Sequence, residues 1–160
     1  MNKPNIIFLD IDGVLCTLRS HLALGDGLMM EAWDITSCQI IKKICKEHNC
    51  KLVISSTWRI NSQRTLKYYL AVFGLIDYVY SSVFDTEDWK TPIGKMDCKR
   101  GDEIKEWLDN HKDDINDYLI FDDDSDILEE QKDHFFQIDS DEGFGAKDFL
   151  KVEKYFERKM

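Results

Sequence analysis

Three short apolar runs along the chain each end abruptly in polar residues. The runs cover residues 6–9, 52–54 and 118–121, and each is unbroken rather than alternating between apolar and polar positions. They are too short for helices, and an unbroken apolar run suits a parallel strand that is covered on both faces. The carboxyl ends of parallel strands meet at one edge of a sheet, where ligands gather. The pattern therefore predicts a parallel sheet with a polar, ligand-binding edge.

Apolar residues at helical spacing lie between and after these runs. They predict helices at residues 34–49, around 66–73, at 102–110 and at 149–158. Two further segments, residues 78–83 and 134–138, are expected to form a third and a fifth strand. This alternation predicts an α/β fold, a Rossmann-like three-layer sandwich with a mostly parallel central sheet, as a single domain over residues 1–160. Residues 14–33 leave room for only a small flap, in which residues 25–27 are expected to form a turn.

The first apolar run ends in two aspartates, Asp10 and Asp12, which are separated by one residue and followed by Gly13. Two carboxylates this close repel each other unless a cation or a shared proton offsets their charge. The pair therefore implies either a divalent metal ion or an acid and a base with separate tasks. Taken alone, the same residues are also compatible with a strand that runs into a polar turn.

Small hydroxyl side chains and a cation follow the second apolar run. The segment contains Ser55, Ser56, Thr57 and Arg59. Hydroxyls and backbone N–H groups at a strand end can hold phosphate oxygens. Serine and threonine are also the preferred N-cap residues of helices, so a cap for a following helix is the alternative interpretation.

The third apolar run ends in four aspartates within the five residues 122–126. A solvated turn explains them poorly, because like charges packed together are unfavourable without a counter-ion. Lys99 and Arg100 stand just before the helix predicted at residues 102–110, which places a cation near these carboxylates. Each of the two cations, taken separately, is equally compatible with a solvated surface charge.

The four polar motifs, taken in this order at strand ends, resemble the motifs of the haloacid dehalogenase (HAD) superfamily of phosphotransferases. The resemblance spans residues 6–126, most of the chain. More narrowly, residues 53–59, 100–108 and 121–126 look like the small HAD domains grouped with the Swiss Army knife RNA repair proteins. The resemblance implies a HAD-like fold without a large cap domain, since residues 14–33 and the interval after the second motif leave no space for one.

The same resemblance implies a role for the residues of the first two motifs. Asp10 matches the nucleophile, which attacks phosphorus to form an aspartyl-phosphate. Asp12 matches the general acid and base, which protonates the leaving oxygen and then activates water. Ser56 matches the hydroxyl that holds the phosphate, and a shift of one residue would substitute Ser55.

Further contacts with the phosphate are also implied by the resemblance. The cation of the third motif is either Lys99 or Arg100, with Lys95 a weaker candidate. Additional substrate contacts are expected from residues of the first two motifs, namely Gly13, Ser55, Thr57 and Arg59.

Magnesium is the cofactor that the resemblance implies. Asp123 best matches the metal-ligating acid of the fourth motif, supported by Asp122 or Asp126. Asp10 and the backbone carbonyl of Asp12 complete the expected ligands. Mg²⁺ suits such a site, because it binds one or two carboxylates together with substrate phosphate and water.

Composition sets broad limits on this interpretation. A chain of 160 residues with 43% hydrophobic content fits one domain with a real core. No apolar stretch is long enough to cross a membrane and the N-terminus lacks the pattern of a signal peptide, so cytoplasmic residence is expected. Five cysteines without a C-x-x-C pair favour reduced thiols over a disulfide framework.

The net charge of −10 bears on the binding partner. Nucleic-acid binding normally needs a basic face that displaces counter-ions from the phosphates. No extended nucleic-acid-binding surface is therefore expected, although a local basic strip is compatible with this charge. We expect an oligonucleotide phosphate to be processed at most modestly better than a mononucleotide, with the advantage lost at about 0.2 M salt.

Together these features predict a Mg²⁺-dependent HAD-type phosphatase that cleaves a phosphate monoester. The leading substrate class is a nucleotide or a nucleic-acid terminal phosphate. Two alternatives stay open: a small-metabolite phosphatase closed by a partner subunit, such as a second copy in a homo-oligomer, and a non-catalytic interaction module with the HAD fold. Intact Asp10 and Asp12 and the acidic fourth motif count against the last of these.

Overall fold

A parallel sheet lies at the centre of the computed structural model, which describes residues 2–24, 32–81 and 86–160. Within these residues the strands are β1 (Asn5–Leu9), β2 (Cys50–Ile54), β3 (Tyr118–Asp122) and β4 (Phe135–Gln137). Their order across the sheet is β2-β1-β3-β4, and every pair of neighbours is parallel. The predicted Rossmann-like α/β fold is therefore confirmed.

The register of the strands aligns their carboxyl ends. Leu9, the last residue of β1, pairs with Ile54 of β2 and with Phe121 of β3. The residues that follow these positions in the three strands therefore emerge at one edge of the sheet. We call this edge the catalytic edge, because the polar motifs predicted from the sequence meet there.

The described helices lie close to their predicted positions, with two additions. They are α1 (Leu18–Leu24), α2 (Ile35–Glu47), α3 (Trp58–Asn61), α4 (Gln63–Val72), α5 (Arg100–His111) and α6 (Ala146–Lys159). Short 3₁₀ turns occur at Ile76–Tyr78 and Glu129–His134. The sequence patterns did not predict α1 or α3, because both are shorter than the windows over which apolar periodicity is detected. None of the described helices has the length and apolar character needed to span a membrane.

Side chains of the sheet pack into two hydrophobic cores, one on each face. Successive residues of a strand point to opposite faces. Accordingly, Ile7 and Leu9 join the larger core, which includes residues of α2, α4 and α6. Ile6 and Phe8 join the smaller core, which α5 covers. The sheet is thus the middle layer of three.

Two of the predicted strands differ in the structure. The strand expected at residues 78–83 is not formed in its described part, where Val79 makes a single bridge to Leu52 of β2 and the chain then turns. A second separate bridge joins Lys90 to Ile54, so two short segments cover the edge of β2 in place of one strand. The strand expected at residues 134–138 is present as the shorter β4.

The flap expected at residues 14–33 is described only in part. It contains α1, and a bridge between Cys16 and Trp33 closes its base. Mutual hydrogen bonds between Thr17 and Ser20 cap the start of α1, with the Thr17 N–H donating to Ser20 Oγ at 2.8 Å and the Ser20 N–H donating to Thr17 Oγ1 at 3.2 Å. The turn expected at residues 25–27 lies outside the described residues.

Candidate active site

Asp10 lies directly after β1 at the catalytic edge and is 6% exposed. Its backbone N–H donates to the carbonyl of Phe121 at 3.0 Å, which extends the pairing of β1 with β3 by one residue. Its Oδ1 atom lies 3.5 Å from Nη1 of Arg100. The same Nη1 lies 3.4 Å from Oδ2 of Asp122, the last residue of β3. One guanidinium therefore lies between two buried carboxylates that come from neighbouring strands.

Asp123 joins these two carboxylates to form an acidic cluster. Asp10, Asp122 and Asp123 each present an oxygen atom, and the three atoms lie within 4.8 Å of one another. Burial raises the pKa of Asp10 to about 6, against the opposing effect of Arg100. Burial, followed by the charge of Asp10, raises the pKa of Asp122 to about 8. Arg100 lowers the pKa of both carboxyl groups but does not outweigh the effect of burial.

The acidic cluster fits a hard divalent cation. Its donors are carboxylate oxygens, which Mg²⁺ and Ca²⁺ prefer. A cation at this position would favour the ionised carboxylates, whose pKa is raised first by burial and then by their mutual repulsion. The cluster thus brings together Asp10, Asp122 and Asp123 of the residues predicted as metal ligands. Asp126 is outside this group, and Asp12 was predicted to contribute its backbone carbonyl rather than its side chain.

Of the cations predicted for the third motif, Arg100 is the one that lies beside the cluster. It is the first residue of α5, and its backbone N–H donates to Oδ2 of Asp126 at 3.2 Å. Burial alone would lower the pKa of Arg100, but Asp10, Asp122 and Glu103 outweigh it, so that its pKa is raised and its charge is permanent. Lys99 and Lys95 are exposed, and neither forms an ion pair with any residue that the structure describes.

Gly13 allows Asp123 to approach the first motif. Gly13 has a φ of +82°, in the left-handed region that favours glycine. A Cβ atom built at this position would overlap the carboxylate of Asp123. The glycine of the Asp-x-Asp-Gly motif is therefore needed both for the turn and for the position of a cluster carboxylate.

Asp12 is exposed beyond the cluster and is held by a tryptophan. Nε1 of Trp58 donates to both carboxylate oxygens of Asp12, at 3.2 Å each. Trp58 is itself 7% exposed and packs edge-on against Trp33 and Tyr69, with ring centroids 5.7 and 6.1 Å away. A buried indole N–H usually has a hydrogen-bond partner, and for Trp58 the partner is the carboxylate predicted to act as acid and base. The sequence motifs gave no sign of this contact, because Trp58 and Asp12 lie 46 residues apart.

The hydroxyl residues of the second motif lie at the end of β2. Ser55 is fully buried, its N–H donates to the carbonyl of Leu9, and its own carbonyl accepts a hydrogen bond from Arg100. Its hydroxyl has no hydrogen-bond partner among the described residues. The hydroxyl of Ser56 accepts the backbone N–H of Trp58 at 3.3 Å. Both hydroxyls therefore stay candidates for the phosphate contact, and Thr57 is exposed beside them.

Arg59 does not occupy the position expected of a substrate-binding residue. Its guanidinium is 2% exposed and forms an ion pair with Glu103 at 2.8 Å. The other N–H groups donate to four carbonyls, those of Ser55, Ser56, Thr91 and Pro92. All five donors of the guanidinium are thus used inside the protein. The expectation is corrected: the contacts of Arg59 hold the turn after β2 against α5 and leave no donor for a substrate.

Comparison with known proteins identifies the family. The model of the HAD domain in Swiss Army Knife RNA repair proteins matches residues 6–149. This range contains the acidic cluster, Arg100 and all of the parallel sheet except Asn5, the first residue of β1. No curated protein and no solved structure matched the chain. The superfamily is one of phosphatases and related hydrolases that generally use Mg²⁺, in agreement with the donor set of the cluster. The chain therefore belongs to the family of HAD domains found in Swiss Army Knife RNA repair proteins.

Proposed function

We propose that this protein is a Mg²⁺-dependent phosphatase that hydrolyses a phosphate monoester through an aspartyl-phosphate on Asp10. The observation that supports this proposal best is the placement of the Asp10 carboxylate beside Arg100 and the other two carboxylates of the cluster. Phosphoryl transfer depends mainly on positioning and on neutralising charge. Arg100 would neutralise negative charge directly, and the cluster would do so through the cation that it holds, at the adjacent ends of β1 and β3.

In the first displacement, a carboxylate oxygen of Asp10 attacks phosphorus and forms an acyl phosphate. The bond between phosphorus and the leaving oxygen breaks, and Asp12 donates its proton to that oxygen. Arg100 stabilises negative charge next to the reacting phosphoryl group, because its own charge is permanent. The hydrogen bond from Trp58 keeps the Asp12 carboxylate oriented towards the outside of the cluster.

In the second displacement, the now ionised Asp12 takes a proton from water. The oxygen of that water attacks phosphorus, the acyl phosphate bond breaks, and inorganic phosphate and the Asp10 carboxylate are released. Asp10, Asp122 and Asp123, with the carbonyl of Asp12, are the residues that would hold Mg²⁺. When bound, the ion neutralises charge on the phosphoryl oxygens.

The proposed substrate is a nucleotide or a nucleic-acid terminal phosphate. The test is phosphate release from nucleotides, oligonucleotides phosphorylated at the 3′ or 5′ end, sugar phosphates and phosphopeptides, with an Asp10→Asn variant assayed in parallel. We expect the highest kcat/KM on a nucleotide or an oligonucleotide end. A strong preference for sugar phosphates would place the enzyme among small-metabolite phosphatases. Absence of release from every compound would instead support a non-catalytic module.

The mechanism predicts that Trp58→Phe lowers kcat while the fold is kept. The change leaves an aromatic ring in the core but removes the N–H that holds Asp12. A hydrogen bond to a charged group contributes about 1.5–3 kcal/mol, so a loss of at least about tenfold in kcat is expected. The loss should be greater for alkyl phosphates than for p-nitrophenyl phosphate, because a poor leaving group depends more on its proton donor.

Trp33→Phe is the matched control for this prediction. Nε1 of Trp33 is buried and has no hydrogen-bond partner among the described residues, so its removal should not affect kcat. An equal loss of kcat in the two variants, or a loss that does not vary with the leaving group, would contradict the role assigned to Trp58.

A further inference from the structure

A row of four basic side chains runs along the exposed face of α6. Lys147, Lys151, Lys154 and Arg158 follow one another at spacings of four, three and four residues. At 3.6 residues per turn they fall within an arc of about 60°, and the row is about 16 Å long. All four residues are exposed. We call this row the α6 basic stripe.

The cations of the α6 basic stripe are not neutralised within the protein. None of the four forms an ion pair with any residue in the described part of the chain, and Nε of Arg158 donates only to the carbonyl of Lys154 at 3.2 Å. Two of the three acidic residues of the same helix are engaged elsewhere: Glu153 contacts His48 at 2.6 Å, and Asp148 accepts the N–H of Gly145 at 2.9 Å. The third, Glu157, is exposed and forms no ion pair with the stripe among the described residues. In a chain of net charge −10, the stripe is a local concentration of positive charge.

Two grooves lie beside the α6 basic stripe. One, of about 320 Å³, is lined by the stripe residues from Lys151 onwards, by the aromatic side chains of Phe135, Phe136 and Tyr155, and by one acidic residue, Asp133. The other, of about 460 Å³, has a balanced lining of three basic residues, Lys147, Lys151 and Arg19, and three acidic residues, Asp139, Glu142 and Asp148. Glu142 lies 3.8 Å from Arg19, so the excess of positive charge lies in the first groove. Both grooves are also lined by Gln137, so they form one path along the helix.

This path begins at the catalytic edge. Nε2 of Gln137, the last residue of β4, donates to the carbonyl of Asp123 in the acidic cluster at 3.1 Å. Just before α6, the N–H of Phe144 donates to the carbonyl of Val14, which follows the Asp-x-Asp-Gly turn. The first turn of α6 is therefore close to the catalytic edge, and the stripe leads away from it.

We propose that the α6 basic stripe binds the backbone phosphates of a single-stranded nucleic acid whose terminal phosphate enters the acidic cluster. The inference rests on the proposed phosphatase function, which supplies the site at the end of the path. A row of cations matches regularly spaced phosphates, and neighbouring aromatic side chains are the usual surfaces on which bases stack. An acidic peptide would use the cations but has no need of a phosphate site at the end of the row.

The test measures binding of a short single-stranded oligonucleotide that carries fluorescein at one end and a hydroxyl at the other. For four phosphate contacts, the logarithm of the affinity should fall against the logarithm of the salt concentration with a slope of about −2.8. Lys151→Ala/Lys154→Ala should reduce this slope to about −1.4 and weaken binding at least about tenfold at about 50 mM salt. Alanine favours helix, so α6 should persist, which circular dichroism checks.

Lys105→Ala/Lys112→Ala is the matched control. It removes the same charge from exposed positions at α5, on the opposite face of the sheet, and should leave the slope and the affinity unchanged. If the two double variants weaken binding equally, the stripe is not the binding surface. The effect would then come from the change in net charge alone. Equal displacement of the oligonucleotide by a polyglutamate peptide of the same charge would overturn the assignment to nucleic acid.

Hydrolysis of p-nitrophenyl phosphate separates this inference from the proposed function. Both double variants should retain wild-type turnover of this small ester, and only Lys151→Ala/Lys154→Ala should raise KM for an oligonucleotide end. If the ester is hydrolysed but oligonucleotide binding does not depend on the stripe, the inference fails and the phosphatase stands. If binding depends on the stripe but no phosphate ester is hydrolysed, the proposed function fails and the stripe stands as a nucleic-acid surface.

Discussion

Asp10→Asn should abolish turnover, with a loss of at least about 10³-fold in kcat, while the protein stays folded. An amide cannot form the acyl phosphate, so the first displacement has no nucleophile. The substitution keeps the size of the side chain, and Arg100 retains its contact with Asp122 at 3.4 Å. It also removes one charge from a crowded acidic cluster, so the melting temperature should not fall. Phosphate release and thermal unfolding of the purified variant measure the two effects.

Asp12→Asn is the informative companion to this variant. It should slow protonation of the leaving group and breakdown of the phosphoenzyme, with the smallest loss for substrates that have good leaving groups. A labelled phosphoenzyme should therefore accumulate in Asp12→Asn and be absent in Asp10→Asn. Activity of Asp10→Asn within tenfold of the wild type would remove Asp10 from the role of nucleophile.

Removal of divalent cations should stop activity, and Mg²⁺ should restore it where Ca²⁺ does so poorly. Calcium prefers more ligands and longer bonds, which would spoil the geometry of an in-line displacement. Asp123→Ala should raise the Mg²⁺ concentration needed for half-maximal activity at least about tenfold, since it removes one of three cluster carboxylates. It should also reduce the increase in melting temperature that Mg²⁺ produces in the wild type.

Two further variants sharpen the metal prediction. Gly13→Ala should act in the same direction as Asp123→Ala, because the new Cβ atom would displace the Asp123 carboxylate. Asp124→Ala is the control, since Asp124 is exposed and its carboxylate lies outside the cluster. Full activity in excess chelator, or an equal effect of Asp123→Ala and Asp124→Ala, would contradict the assignment of Asp123 as a metal ligand.

Local pattern was sufficient to predict β1, β2 and β3 and the residues at their carboxyl ends. An unbroken apolar run is a property of a few neighbouring residues, and the burial of β1 on both faces follows from it. Parallel strands then bring Asp10, Ser55 and Asp122 to one edge regardless of the rest of the chain. The family resemblance also rested on short motifs, and the match over residues 6–149 confirmed it.

The contacts made by each edge residue could not be predicted in the same way. Lys99 and Arg100 are adjacent cations in the sequence, and only the packing of α5 turns Arg100 towards Asp10 across a separation of 90 residues. Arg59 follows the serines as a substrate cation would, but α5 supplies Glu103 and buries it. The contacts of Arg100 and Arg59 depend on how α5 packs against the sheet. The residues next to each arginine in the sequence do not determine that packing.

Sequence by itself therefore established the parallel α/β fold, the family and the set of candidate acids, since these depend on short-range periodicity and motif order. Tertiary structure established which cation lies beside the acidic cluster and which residue forms a hydrogen bond with Asp12. It also established that exposed basic side chains are concentrated on one face of α6. Trp58 contacts Asp12 although 46 residues separate them in the sequence. The four cations of α6 lie on an exposed surface beside β4 because Val152, on the other side of the helix, is buried in the core. Such contacts arise when segments that are distant in the sequence pack together. The free energy of this packing comes from the whole core, so a local sequence pattern does not predict it.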